Sequence, residues 1–372
     1  MKVMTIVGTR PEIIKLSCVI PELDRAFRHV LVHTGQNYAY ELNQIFFEGL
    51  GLRKPDHFLE AAGENAAQTI ANVIARADAA MAKEKPDAVL ILGDTNSGLA
   101  ALAAKRRKIP IFHMEAGNRS FDERVPEEVN RRVVDHVSDI NLVYTEHARR
   151  YLLAEGVRPE TVIKTGSPMK QVLAAQARKI DASRVLNKLG LKKQKYFAVS
   201  LHREENVDDK TRFQRLLAAL SELKAQYKLP VIVSTHPRTR KRLEALGKTK
   251  PKGLQFVAPL AFADYISLQR GARCVLSDSG TLTEEASLLG FAAVMIREAH
   301  ERPEGQDQGT VIMAGTRPER IRDAVQAATE RFARAGRTWR VAPDYDVDDV
   351  ASIVVNAILG YTDYVNRTVW RK

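Results

Sequence analysis

The stretch HMEAGNRSFDERVPEEVNRR, residues 113–132, holds five carboxylates, four arginines and a histidine. It begins within an apolar run, IPIFHMEAG, that reads as a buried strand. Glu115 ends that run, Gly117 leaves room beside it, and Pro126 opens a helix whose first turn carries Glu127 and Glu128. The helix dipole alone favours acidic residues in a first turn, so their position by itself decides nothing. Asp94, in LGDTNS, ends the preceding strand and projects from the same sheet edge. Asp94, Glu115 and Glu127 are therefore expected to share one pocket. Mutual repulsion and partial burial there would raise some of their pKa values, as acid and base roles require. Arg131, one turn after Glu127, can pair with these carboxylates or with an anionic substrate.

Two further stretches read as anion cradles. In VGTRPEIIK, Gly8 permits a tight turn and Pro11 suits the first turn of a helix. The partial positive charge of that helix start, with Arg10 and Lys15, makes an anion site. The glycines of a Walker or dinucleotide fingerprint are absent. In VLSDSGTLTEEASLLG, Ser279, Gly280 and Thr281 open a helix after a strand, and Glu285 lies one turn in, placed for a ribose diol. Ordinary capping is the competing reading of that motif. SLHREEN and STHPRTR set His202 and His236 at the ends of adjacent strands, each near an arginine and outside any zinc-binding spacing.

The elements that must hold these residues alternate. KVMTIVG, HVLVHTG, DAVLILGD, IPIFHMEAG and INLVY read as strands, separated by segments with helical periodicity. After IKTGSPMKQVL the alternation restarts with YFAVSLH, PVIVSTHP, LQFVAP, CVLSDSG and AAVMIRE. Repeated βαβ units predict two doubly wound α/β domains, divided near Gly166–Met169. The polar motifs all follow strands, where such sheets bind ligands, and two domains would turn those edges toward one shared cleft.

The chain has 372 residues, 45% hydrophobic and 27% charged, as in a folded globular protein. Its two cysteines, Cys18 and Cys274, form no framework or metal spacing and suit a reducing cytoplasm. No window reaches the roughly 20 apolar residues that span a bilayer. The net charge of +12 is compatible with nucleic acid, an anionic membrane surface or a phosphorylated small molecule. The basic clusters, KRRK at 105–108 and residues 238–252, lack interleaved aromatics. They read as solvated faces, with nucleic acid as the lesser alternative.

Taken in order, GTRPEIIK, HTGQ, GDTNS, HMEAG, PEEVNR, HREEN, DSGTLTEE and ERPEG resemble the non-hydrolysing UDP-N-acetylglucosamine 2-epimerases along essentially the whole chain. The resemblance implies Rossmann-like domains of the glycosyltransferase-B type at 1–168 and 169–355, with a C-terminal helix, about 356–372, crossing back onto the first. It implies a homodimer acting on a UDP-sugar without a redox cofactor. Asp94, Glu115 and Glu127 become the acid/base carboxylates, and His202 assists the departing diphosphate. Arg10, Lys15 and Arg131 hold substrate. His236, Ser279, Gly280, Glu285 and Arg302 hold UDP, with Phe262 to Tyr265 near uracil. The chain departs from the usual Gly-Gly-Ile-Gln by reading Gly-Thr-Leu-Thr at 280–283. HMEAGNRSFDERVPEE, IREAHERPEG and YTDYVNRTVWRK look like the UDP-N-acetyl-L-fucosamine synthase branch, which inverts C2 of UDP-2-acetamido-2,6-dideoxy-L-talose for capsule or O-antigen. Formation of UDP-N-acetylmannosamine is the alternative, and glycosyl transfer a more distant one. Some regulated members bind a second UDP-sugar as activator, a property to be sought in HTGQNYAYELN.

Overall fold

The computed structural model describes residues 1–35, 47–247 and 253–372, so most of HTGQNYAYELN and part of the 238–252 basic run lie outside the described residues. All ten apolar runs form parallel strands. A parallel sheet covered on both faces buries every side chain of its central strands, hence runs such as AVLIL at 88–92.

Contacts divide the chain into two units, Met1–Ala175 with Pro343–Lys372, and Gln176–Ala342. The first contains β1 (Lys2–Val7), β2 (Arg28–His33), β3 (His57–Phe58), β4 (Ala88–Leu92), β5 (Ile111–Ala116), β6 (Ile140–Val143) and β7 (Val162–Lys164). They order as β3-β2-β1-β4-β5-β6-β7. The second contains β8 (Phe197–Leu201), β9 (Val231–Thr235), β10 (Leu254–Val257), β11 (Cys274–Ser277), β12 (Ala293–Met295) and β13 (Ile312–Met313), ordered β10-β9-β8-β11-β12-β13. Each order reverses once, between β1 and β4 and between β8 and β11. Those are the switch points at which doubly wound sheets bind ligands.

The segment PEIIKLSCVIPELDRAF, with one helical periodicity, forms two helices, Arg10–Leu16 and Val19–Ala26. A continuous helix would drive the Pro21 ring against the Ser17 carbonyl. The apolar helix Val350–Val365, capped where Asp349 accepts the Ser352 N–H, packs on Val19–Ala26 in the first unit. The sequence reading divided the chain at 168/169 and began the return near 356; contacts group 169–175 and 343–355 with the first unit. Helix Met169–Ala175 packs on Arg10–Leu16, and Lys170 pairs with Asp346 and Asp348. Among the described residues, no helix is long and apolar enough to cross a membrane.

Candidate functional site

In the first unit, the turn after β1 is shaped by what surrounds Gly8. The Thr34 and Ser97 hydroxyls, 2.8 Å apart, lie so near that a Cβ at Gly8 would stand 2.2 and 1.9 Å from them. Three strand ends therefore meet through a position without a side chain. The Glu12 carboxylate accepts the Gly8 N–H at 2.5 Å, the Thr9 N–H at 3.2 Å and the Thr95 hydroxyl, tying the turn after β1 to the turn after β4. Burial pushes Glu12 up to about 7, against the lowering effect of those hydrogen bonds. Arg10, at the start of the helix, is half-buried. Lys15 is buried one turn on; its Nζ pairs with Glu115 and lies 5.9 Å from the Tyr144 ring centroid.

Glu115 has φ 63°, the left-handed region, where the pairing of β5 with β6 slips between Met114 and Ala116. Such a bulge re-aims a side chain at a strand end. A non-glycine residue held there costs roughly 1–3 kcal/mol and persists where its surroundings over-determine it. Gly117 follows with φ 78°, and a Cβ there would lie 2.5 Å from the Ala148 carbonyl oxygen. Leu92 on β4 pairs with Met114 on β5, so Asp94 and Glu115 leave neighbouring strand ends. Asp94 accepts from Arg131 Nε at 3.0 Å and Nη2 at 2.5 Å. The mutual repulsion expected among the carboxylates is thereby relieved: Asp94 has Arg131 and Glu115 has Lys15.

Glu127 is half-buried in the first turn of helix Pro126–Val137. Its neighbour Glu128 is wholly buried, accepting Ser120 N–H and O–H, both at 2.9 Å, and Arg131 Nη1–H, also at 2.9 Å. Arg131 thus bridges Glu128 to Asp94.

At the second unit's switch point, Asp278 follows β11 by one residue and His202 directly follows β8. Buried Asp278 accepts the backbone N–H groups of His202 and Arg203 and the Asn206 side-chain amide, with His202 Nδ1 3.0 Å from its Oδ1. Burial alone would raise its pKa; the His202 ring and the backbone donors outweigh that and hold it at about 2. His236 caps helix Pro237–Ala245, its Nδ1 accepting the Arg238 N–H at 3.3 Å, and its ring centroid lies 5.9 Å from that of His202.

Gly280 caps helix Thr281–Leu289. Thr281, one of the two departures from the family pattern, has its hydroxyl 3.0 Å from that of Ser279; Thr283, the other, packs its methyl against Gly305. Glu285 is buried and accepts from Gln269 Nε2 at 2.7 Å. On helix Phe262–Gly271, which carries Gln269, Phe262 is buried and Tyr265 half-buried. Arg302 is buried, 3.5 Å from Glu284.

Six of the sequence-selected residues thus lie in the first unit and eight in the second. Glu12 and Asp278 went unselected. Glu12 occupies the third helical position after Thr9, a capping-box spacing that could have marked it; Asp278 directly precedes the selected Ser279. The KRRK cluster is partly engaged: Lys105 pairs with Asp139 and faces Trp370 at 5.2 Å, and Arg107 pairs with Asp78. Within the other cluster, Arg238 and Arg242 both pair with Asp208.

Two Rossmann-like units, each with polar side chains gathered beyond its strand ends, define an α/β enzyme of the glycosyltransferase-B type. Residues 21–359 match the family described as UDP-N-acetylglucosamine 2-epimerase, and the chain belongs to that family of isomerases. The protein of that name from Methanococcus maripaludis is 35% identical over 368 residues, 96% of this chain and 98% of its own. The structure of UDP-N-acetylglucosamine 2-epimerase from Rickettsia bellii is 54% identical, with TM-score 0.93 and all of both chains covered. That of the Methanocaldococcus jannaschii enzyme in complex with UDP-GlcNAc and UDP is 32% identical, with TM-score 0.89, covering 97% of this chain and 100% of that one.

Proposed function

We propose that this enzyme inverts C2 of a UDP-N-acetylhexosamine by eliminating and re-adding UDP, and that UDP-N-acetylglucosamine, giving UDP-N-acetylmannosamine, is its substrate. The names of its relatives support that sugar. The observation that carries the chemistry is the exit of Asp94 and Glu115 from adjacent strand ends, each with a buried cation.

H2 of the sugar is not next to a carbonyl and so is not acidic. Departure of UDP from C1 gives that carbon oxocarbenium character, which acidifies H2; a carboxylate then removes it, leaving a C1–C2 alkene, the glycal. Reprotonation at C2 from the opposite face and return of UDP to C1 complete the inversion. Opposite-face transfer needs separately placed acid/base groups, each contributing roughly 10²–10⁴-fold, and Asp94, Glu115 and Glu127 are assigned to it. Preorganised positive charge stabilises the departing diphosphate. His202 acts there, Arg10, Lys15 and Arg131 hold the sugar and its phosphates, and His236, Phe262, Tyr265, Ser279, Gly280, Glu285 and Arg302 hold UDP. The homodimer is part of the proposal, and sedimentation equilibrium tests it.

A second reading, conversion of UDP-2-acetamido-2,6-dideoxy-L-talose to UDP-N-acetyl-L-fucosamine, is supported by EAGNR at 115–119. There the Asn118 amide nitrogen is buried without a hydrogen-bond partner among the described residues, a group that favours a polar neighbour. Incubation of each sugar nucleotide in deuterated water, with no acceptor, tests both. Deuterium at C2 of an inverted UDP-sugar is expected, and the sugar that exchanges identifies the substrate. Stoichiometric release of free UDP and sugar, or no exchange with either, would overturn the mechanism.

A further inference from the structure

Beside the two strand-end carboxylates runs a buried polar chain that the reaction above leaves unused. Asp135, two turns after Glu127 on helix Pro126–Val137, has a fully buried side chain. Both its oxygens accept the Gly117 N–H at 3.1 Å, and Oδ2 accepts Arg119 Nη1–H at 2.6 Å. His113 Nδ1 lies 2.9 Å from Oδ1. The other ring nitrogen, Nε2, is 2.8 Å from the Gly93 carbonyl, which can only accept, so Nε2 carries a hydrogen. The Gly93 N–H returns to the Met114 carbonyl at 2.9 Å. Glu155 holds the far end, taking two bonds from Arg119 at 2.7 and 2.6 Å.

The places of these residues in the chain give the network its meaning. His113 stands two residues before Glu115 and Gly117 two after, so both flanks of the bulge meet one carboxylate, Gly117 by a hydrogen bond and His113 by close approach without one. Gly93 immediately precedes Asp94. Asp135 therefore grips the backbone beside Glu115, and the His113 ring packed next to it grips the backbone beside Asp94. An apolar core of similar volume is often as stable as a buried charged network, so stability alone does not account for this one. Proton transfer, in contrast, needs donor and acceptor within roughly 2.6–3.2 Å, and a 1 Å misplacement costs about 10²-fold.

We propose that Asp135 and His113 are positioning residues that fix the separation and aim of Asp94 and Glu115. The inference rests on the reading of those two as proton-transfer groups. His113→Phe fills the volume of the ring but offers Gly93 no donor, whereas His113→Gln restores one. Phe at 113 is expected to lower kcat by about 30-fold or more, on the scale of such misplacements, with KM and UDP affinity nearly unchanged; Gln should recover most of the loss. Leu220→Ala, in the core of the second unit, serves as the stability control and should leave kcat unchanged. Wild-type kcat with Phe at 113, or an equal kcat loss in Leu220→Ala, overturns the proposal. Should His113→Phe not fold, Asp135→Asn is read against the same standards. Should the wild type epimerise neither sugar nucleotide, the functional reading fails by itself. Crystal structures of His113→Phe or Asp135→Asn and the wild type then decide: an altered Asp94–Glu115 separation supports the brace, and an unchanged one overturns it.

Discussion

Each unit joins the two loops at its switch point through one buried carboxylate. In the first, Glu12 stands after β1 and reaches Thr95 beyond β4; in the second, Asp278 stands after β11 and reaches back to His202 beyond β8. Both accept two backbone N–H groups and a side-chain donor. Yet Glu12 is pushed up to about 7 while Asp278 is held at about 2. Burial works in the same direction on both. What differs is the His202 ring beside Asp278, a group able to carry positive charge, where Glu12 has the Thr95 hydroxyl. With similar desolvation and similar backbone donors, a chargeable partner decides the direction.

On the proposed function, the sharpest division of labour between the units is between chemistry and nucleotide. Asp94→Asn and Glu115→Gln should each lower turnover by roughly 10²–10⁴-fold while UDP affinity, measured by calorimetry, changes little. Ser279→Ala should weaken UDP by several-fold, the worth of about one hydrogen bond, with a smaller effect on the bound-state rate. Normal turnover in both carboxylate variants would remove the first unit from the chemistry.

Glu12 offers the next largest effect. Folded, it holds its proton up to about 7; unfolded, it releases it near the ordinary 4.5. Between those values the folded chain binds a proton that the unfolded chain has lost. Stability therefore falls as pH rises through this window and levels off above it, by about 3 kcal/mol in all. Subtracting the urea-unfolding curve of Glu12→Gln isolates the contribution. A difference that stays flat from pH 4.5 to 7 would show that Glu12 titrates normally.

The contrast also marks how far sequence reading reached. Ten strands are legible because covered parallel strands are continuous apolar runs, even β12 with only three residues. β3, β7 and β13, of two, three and two residues, are edge strands of their sheets and escape such a reading. Glu115, Asp94 and the histidines are legible as polar residues directly following such runs. Glu12 and Asp135 sit on helices, where a carboxylate reads as solvated until tertiary packing buries it. His113 lies inside a strand whose apolar neighbours hide it, and its bond to Gly93 is a tertiary pairing with no local spacing. Positive φ at Glu115 was equally invisible, since the residue type there gives no sign of it.

Asp278 should show the smaller of the two pH effects, of opposite sign to Glu12. Its pKa is depressed on folding, so its contribution is fully present above the ordinary 3.8 and is lost as pH falls through about 2. The folded chain then resists a proton that the unfolded chain takes up, and about 2 kcal/mol of stability disappears across that acid window. Asp278→Asn removes the titration but keeps an acceptor for the His202 and Arg203 N–H groups, so its unfolding free energy should vary less than the wild type's between pH 4 and 2. Because the same substitution takes the anion from beside His202, it should also lower turnover, whereas Glu12→Gln leaves that ring untouched. If acid dependence persists unchanged in Asp278→Asn, Asp278 is not held below its ordinary value, and the contrast between the two switch points falls.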